Sequence, residues 1–151
     1  LQCEAHVPKS RQNPSTKLPG DAFAPHLRAR FWITGEDSED SGGYVGVGRI
    51  TLLEQIERTG SMNQAAKAMR MSYKKAWKLV DEMNAMFANP LVKKAHGGKD
   101  GGGTLVTEQG RRVIEAYRRL ETELAGFMAE KSARLQQEIH GTPADSEKEM
   151  G

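Results

Sequence analysis

The sequence predicts a mainly α-helical fold with a small β-sheet and one long C-terminal helix, and three observations predict it. Residues 59–87 read as two short helices joined by a tight connection. Residues 91–95 and 104–107 are short strand candidates on either side of a glycine-rich tip. After Thr107, apolar residues recur at spacings of four and three as far as about Ile139. Two close-packed helices, a hairpin and a long helix, in that order, describe a winged helix-turn-helix followed by a dimerisation helix.

Composition bounds the reading without deciding it. A chain of 151 residues suits one domain with appendages. An apolar share of 37% and a mean hydropathy of −0.65 predict a modest core with polar extensions. The apolar runs are a few residues long, so no membrane span and no secretory signal are predicted. Cys3 is the one cysteine, which excludes an internal disulfide and favours a reducing, cytoplasmic setting. The net charge of +2 is too small to argue for nucleic acid, but its distribution is uneven. From Ser61 to Arg112 ten Lys and Arg face four acids, +6 for that segment, whereas residues 36–40 hold four acids and no base.

Taken in order, residues 1–25 hold four prolines and no periodicity, and read as a disordered lead. Residues 26–106 form the predicted DNA-binding domain. In residues 26–33, Leu27, Ala29, Phe31 and Ile33 alternate with Arg28, Arg30 and Trp32, the period of a half-buried strand. Residues 35–48 read as an acidic, then glycine-rich, loop. Gly46-Val47-Gly48 lacks the further glycine of a dinucleotide fingerprint and reads as a flexible lead into a helix. Residues 49–58 form a first helix with Ile50, Leu52, Leu53 and Ile56 as its apolar stripe, closed by Thr59-Gly60.

The helix pair follows. Ser61 and Gln64 have the spacing of a capping box, and Ala65, Ala66 and Ala68 admit a close neighbour. Ser72 is a second N-cap. Tyr73, Ala76, Trp77, Val80, Met83 and Phe87 share one face of the second helix, while Lys74, Lys75 and Lys78 lie on the other. That is the geometry of a recognition helix: Lys74, Lys75 and Lys78 reach phosphates or base edges, and Ser72 and Tyr73 stand at the helix start. Asn63 and Gln64, opening the preceding helix, are placed to anchor phosphate. Asn89-Pro90 stops the recognition helix. The hairpin beyond it is a wing whose Lys93, Lys94 and Lys99 track the backbone. A P-loop is excluded there, because Gly98-Lys99 runs into Asp100 and then a strand.

Thr107 caps the last helix, residues 107–139, 33 residues or about 50 Å at 1.5 Å per residue. Val113, Tyr117, Leu120, Leu124 and Phe127 form a heptad-like seam. So small a domain does not cover so long a helix. Tyr117, Leu120, Leu124, Phe127 and Met128 are therefore assigned to dimerisation, with Val113 to Tyr117 also packing on the domain itself. Residues 140–151 read as a flexible tail. The four histidines lack metal-ligand spacing and no nucleophile constellation appears, so no enzyme activity, catalytic residue, metal or cofactor is predicted.

The motifs GS-x-x-x-AA (from Gly60), MSY-x-x-AW (from Met71) and GGK-x-GGG (from Gly97) carry a family resemblance. Over about residues 26–130 the chain strongly resembles the DNA-binding domain of the ModE family of molybdate-responsive transcription regulators, whose helix-turn-helix is related to that of LysR-type regulators. The resemblance implies a bacterial winged helix-turn-helix dimer joined through a long helix. It places the recognition-helix start at Ser72, Tyr73, Lys74 and Lys75, and the wing at residues 97–103. Full-length members carry molybdate-binding modules beyond the long helix. The sequence shown leaves no room for one, so a single-domain form without molybdate binding is expected. The partners expected are double-stranded DNA and a second copy of the chain. Two other readings stand beside this one: an oxyanion or small-molecule binding module, and a non-specific architectural DNA-binding protein.

Overall fold

A computed structural model describes residues 20–35, 43–95 and 103–141 of the chain. The described elements run β1 (Ala22–Ala24), β2 (Leu27–Ala29), β3 (Ile33–Thr34), β4 (Tyr44–Val45), α1 (Val47–Thr59), α2 (Met62–Ala68), α3 (Tyr73–Ala85), β5 (Val92–Lys94), β6 (Thr104–Val106) and α4 (Glu108–His140). The fold is mainly α with small antiparallel sheets, a winged helix-turn-helix extended by one long helix.

The core lies where α1, α2, α3, the wing strands and the first third of α4 converge. Ile50, Leu52, Leu53 and Ile56 of α1 are fully buried, as are Ala65 of α2 and Ala76, Val80 and Met83 of α3. Leu91, Tyr117 and Val45 close it from the sides. The alanines of α2 let α1 and α3 approach, since no side chain beyond a methyl has to be housed there.

Local chemistry fixes each boundary. Gly60 takes the left-handed conformation (φ +66°) that ends α1, and its N–H donates to Ile56 O at 2.8 Å. Ser61 Oγ accepts from Gln64 N–H at 3.2 Å, the forward half of the predicted capping box. The return half differs: Ser61 N–H donates to Thr59 Oγ1 at 3.3 Å rather than to Gln64, whose side chain stays exposed. The α2–α3 turn is built by Arg70 at φ +54°, with Arg70 N–H donating to Lys67 O and Met71 N–H to Ala66 O. That pattern is a Schellman closure carried by a residue with a Cβ. Ser72 Oγ then caps α3 by accepting from Lys75 N–H at 3.1 Å.

Five expectations are corrected. The single strand over residues 26–33 is two strands, broken at residues 30–32 where β2, paired with β1, gives way to β3, paired with β4; the β1–β2 turn falls at Pro25-His26, where His26 has φ +68°. Ala22 pairs with Ala29, and Ala24 with Leu27. Residues 22–24, assigned to the aperiodic lead, therefore form β1. Tyr44–Val45, assigned to a loop, forms β4 and pairs with β3 through Ile33↔Val45. Tyr73 does not share the buried face of α3: its position in the first turn overhangs the core, and it is 53% exposed. Lastly, β1 packs against the C-terminal half of α4. Ser132 Oγ donates to Pro25 O across this contact, and Met128, one turn away, is only 5% exposed. Met128 is thus covered within the chain, as is Tyr117, whose ring stacks on Phe31 with centroids 4.6 Å apart. The seam left exposed on α4 holds Leu120, Phe127 and Ile139, with Leu124 half-buried. Among the predicted strands, β5 and β6 pair as expected, with Val92↔Val106 and Lys94↔Thr104.

The start of α4 crosses β5 at close range. A Cβ at Gly110 would collide with Leu91 O and stand 2.6 Å from Val106 Cγ1. Gly110→Ala raises helix propensity by about 1 kcal/mol, yet it is expected to destabilise the fold by roughly 2–3 kcal/mol through overpacking against backbone. A chemical-denaturation midpoint that falls for Gly110→Ala but not for Gly126→Ala, where a Cβ meets nothing within 4 Å, checks this.

Candidate nucleic-acid interface

The N-terminal half of α3 carries the site. Ser72, Tyr73, Lys74, Lys75 and Lys78 line one open groove of about 830 Å³, together with Trp77, Asp81 and Glu82. All three lysines are exposed because Ala76, Val80 and Met83 hold the opposite face of the helix against α1 and α2. Tyr73 meets Trp77 edge-on, with centroids 6.4 Å apart. Asn63 and Gln64 are exposed in the first turn of α2.

The wing stands beside this helix through specific bonds. Asn84 Oδ1 accepts from Leu91 N–H at 2.8 Å and Val92 N–H at 3.2 Å, and Asn84 Nδ2 donates to Val92 O at 3.2 Å. One side chain near the end of α3 thereby fixes the start of β5. Lys93 and Lys94 are exposed on that strand, and Lys94 Nζ lies 5.0 Å from the Trp77 ring centroid. On the other strand, Thr104 N–H donates to Gly60 O at 3.0 Å, which ties the wing to the α1–α2 turn. Lys99 and residues 97–102 of the predicted wing tip lie outside the described residues.

Electrostatics divide the basic residues into two groups. Arg111 pairs with Glu57 at 2.9 Å, Arg112 with Glu108 at 2.9 Å, and Arg118 with Glu54 at 2.5 Å and Glu121 at 3.0 Å. The bond to Glu54 raises the already high Arg118 pKa, outweighing burial and aided by Glu121. Beside it, burial pushes the Tyr117 phenol above its ordinary value, and the nearby Glu121 charge adds to the shift. These arginines fasten α4 to α1 or to itself, which corrects the inclusion of Arg111 and Arg112 in the basic segment. Lys74, Lys75, Lys78, Lys93 and Lys94, by contrast, have no carboxylate partner among the described residues.

Sequence reasoning missed two members of this region. Trp77, expected in the core, is only half-buried and forms the groove wall between Tyr73 and Lys94. Arg49 is nine-tenths buried beneath α3, bonded to Glu82 at 2.8 Å with its guanidinium carbon 4.5 Å from the Tyr44 ring centroid. Its position on the apolar side of α1, among Ile50, Leu52 and Leu53, was the available signal.

No family model matches the chain. The molybdenum transport protein ModE of Azotobacter vinelandii is 45% identical over 112 residues, 74% of this chain and 42% of that protein. The molybdenum-pterin-binding protein MopB of Rhodobacter capsulatus is 42% identical over 99 residues, 64% of this chain and 37% of that protein. The transcriptional regulator ModE of Yersinia pestis is 47% identical over 74 residues, 49% of this chain and 28% of that protein. The chain thus spans about two-fifths or less of the length of these relatives. Among solved structures, a MarR family transcription regulator matches with a TM-score of 0.44 at 19% identity, over 66% of this chain and 68% of that one.

Asn84 is the residue whose removal separates wing from helix. Asn84→Ala leaves the N–H groups of Leu91 and Val92 without their acceptor, at about 1–3 kcal/mol for each such group. A drop of roughly 2–4 kcal/mol in unfolding free energy is expected. Amide exchange at Leu91 and Val92 should accelerate more than exchange in α1.

Proposed function

We propose that the chain is a homodimeric, sequence-specific DNA-binding transcription regulator, in keeping with the regulators it resembles. The observation that carries the reading is a set of five lysines on the start of α3 and on β5 with no carboxylate partner among the described residues, while Arg111, Arg112 and Arg118 are held in ion pairs. Lysines without a carboxylate partner, on the start of α3 and on the adjacent strand, keep their charge available to an outside anion, although Lys94 also lies over the Trp77 ring. They match a phosphate backbone, whose condensed counterions they displace. In this reading α3 enters the major groove with Ser72, Tyr73, Lys74, Lys75 and Lys78 towards the DNA. Asn63 and Gln64 bind phosphate beside it, and Lys93, Lys94 and Lys99 follow the backbone from the wing.

The second subunit comes from α4. With Tyr117 and Met128 covered within the chain, the apolar surface left in the middle of α4 is the stripe of Leu120, Leu124 and Phe127, one residue per helical turn, with Ile139 exposed near its end. We assign this stripe to the same stripe of a second copy, in an isologous contact. Two α3 helices would then read half-sites about 34 Å apart, or a multiple of that.

Replacing Lys74 and Lys75 by Ala is expected to abolish specific DNA binding with the circular dichroism spectrum unchanged. The slope of log affinity against log salt should fall by about 0.9 for each phosphate no longer neutralised. DNA selected from a random pool identifies the operator for this measurement, and a regulator enriches a near-palindrome. Wild-type affinity in the folded double variant refutes the assignment of α3. Independently, Leu120→Glu with Phe127→Glu should turn a sedimenting dimer into a folded monomer, and a dimer that persists refutes the α4 interface.

A further inference from the structure

A second hollow lies behind α3, distinct from the groove on its outer face. It measures about 350 Å³, within the range of small-ligand pockets (~300–1,000 Å³). Its walls come from the segment linking β2 to β3, from β4, from the start of α1 and from α2 to α3. Three cationic side chains line it, Arg30, Arg49 and Lys75, and no acid among the described residues does. The remaining lining is apolar or aromatic, including Trp32 and Tyr44, both about half exposed.

The cations are not equivalent. Arg30 is neutralised by Asp21 at 2.7 Å. Arg49 bonds Glu82 through Nη2, but its buried Nη1 has no protein acceptor. Lys75 has no carboxylate partner among the described residues. The first turn of α1 faces the same hollow at Gly46, Val47 and Gly48, with no side-chain cap among the described residues and no acid within the turn itself. An orphan guanidinium nitrogen, an ammonium with no carboxylate beside it and an uncapped helix start call for one negative charge. The aromatic walls call for a flat apolar body.

We infer that this hollow binds a small aromatic carboxylate, its carboxylate towards Lys75, Arg49 and the start of α1, and its ring against Trp32 and Tyr44. Lys75 lines both this hollow and the outer groove. A bound carboxylate therefore competes with DNA phosphate for the same ammonium, so the ligand lowers DNA affinity. This consequence, but not the site, rests on the proposed DNA-binding function.

Titration calorimetry on the full chain tests the site without DNA. The probes are 1-naphthoate, its neutral analogue 1-naphthamide, and inorganic phosphate. Saturable binding of the naphthoate is expected, at least tenfold tighter than that of the amide or phosphate. Gly48→Leu adds bulk at the wall, where a Cβ meets nothing within 4 Å, so the fold is retained. It should weaken naphthoate binding about tenfold or more, and Lys75→Met should weaken it severalfold. No saturable heat with naphthoate, equal binding of the amide, or unchanged binding by a folded Gly48→Leu protein each overturns the site. On the selected DNA, saturating naphthoate should weaken wild-type binding about ten- to thirtyfold, and Lys75→Met should abolish that response. If DNA is bound but naphthoate leaves its affinity unchanged, the competition is wrong. If no DNA is bound at all, the function proposed above fails while calorimetry still decides the site.

Discussion

The arrangement of the reading surfaces depends on one junction, where α3 ends, β5 begins and α4 starts. Asn84 holds the N–H groups of Leu91 and Val92. Leu91 O accepts from Thr107 N–H at 2.9 Å, and Thr107 Oγ1 donates to Pro90 O at 2.7 Å while accepting from Gly110 N–H at 3.1 Å. Pro90 supplies a carbonyl and no N–H, which suits a position where only an acceptor is used. The end of α3, the wing and the start of α4 thus share a few peptide groups. The absence of a side chain at Gly110 is what lets α4 approach closely enough to join them. A helix rooted this way fixes its direction relative to α3, so in the proposed dimer the contact between two α4 stripes would also set the separation of the two α3 helices.

Charge is arranged to support that frame without consuming the lysines. Glu54 and Glu57 on α1 face Arg118 and Arg111 on α4. These pairs are partly exposed, so each is worth at most about 1 kcal/mol. Their value lies in orientation more than in strength, since a fork of guanidinium donors fixes the roll of α4 against α1. Arginine serves where geometry must be held. Lysine, a flexible point charge, stands where the proposed contact is a phosphate whose position varies with the DNA.

Much of this was legible in the sequence, and the failures have causes. Caps, the alanine-rich close approach, the wing strands and the extent of α4 depend on local patterns, and each is written in a few neighbouring residues. The hairpin β1–β2 escapes such a reading because its turn uses Pro25-His26 with a histidine at positive φ, a conformation that composition does not announce. That omission carries a second one. Without β1 nothing in the chain covers Met128, so the residue falls to the dimer seam. Arg111 misleads for a related reason: its partner Glu57 sits 54 residues away, beyond any local window, whereas Glu108, the partner of Arg112, lies one helical turn away and was open to a local reading. Lys74, Lys75 and Lys78 stand out because they lie close together on one face of one helix.

The position of Lys75 bounds how strongly a ligand behind α3 can act. Only one ammonium is common to both surfaces, and Lys74 and Lys78 line the outer groove alone. Withdrawing a single phosphate contact is worth about 1 kcal/mol, at the lower edge of typical allosteric coupling. The proposed competition needs no helix to move, because Lys75 lines both hollows while Ala76 and Val80 are buried in the core. In the proposed dimer the effect would act twice on a palindromic site, and two independent decrements multiply to a change of roughly tenfold or more. A control device this weak per subunit would gain its effect from the two-fold symmetry of the proposed α4 contact. The proposed ligand hollow and dimer seam, built from different elements of the fold, would then serve a single response.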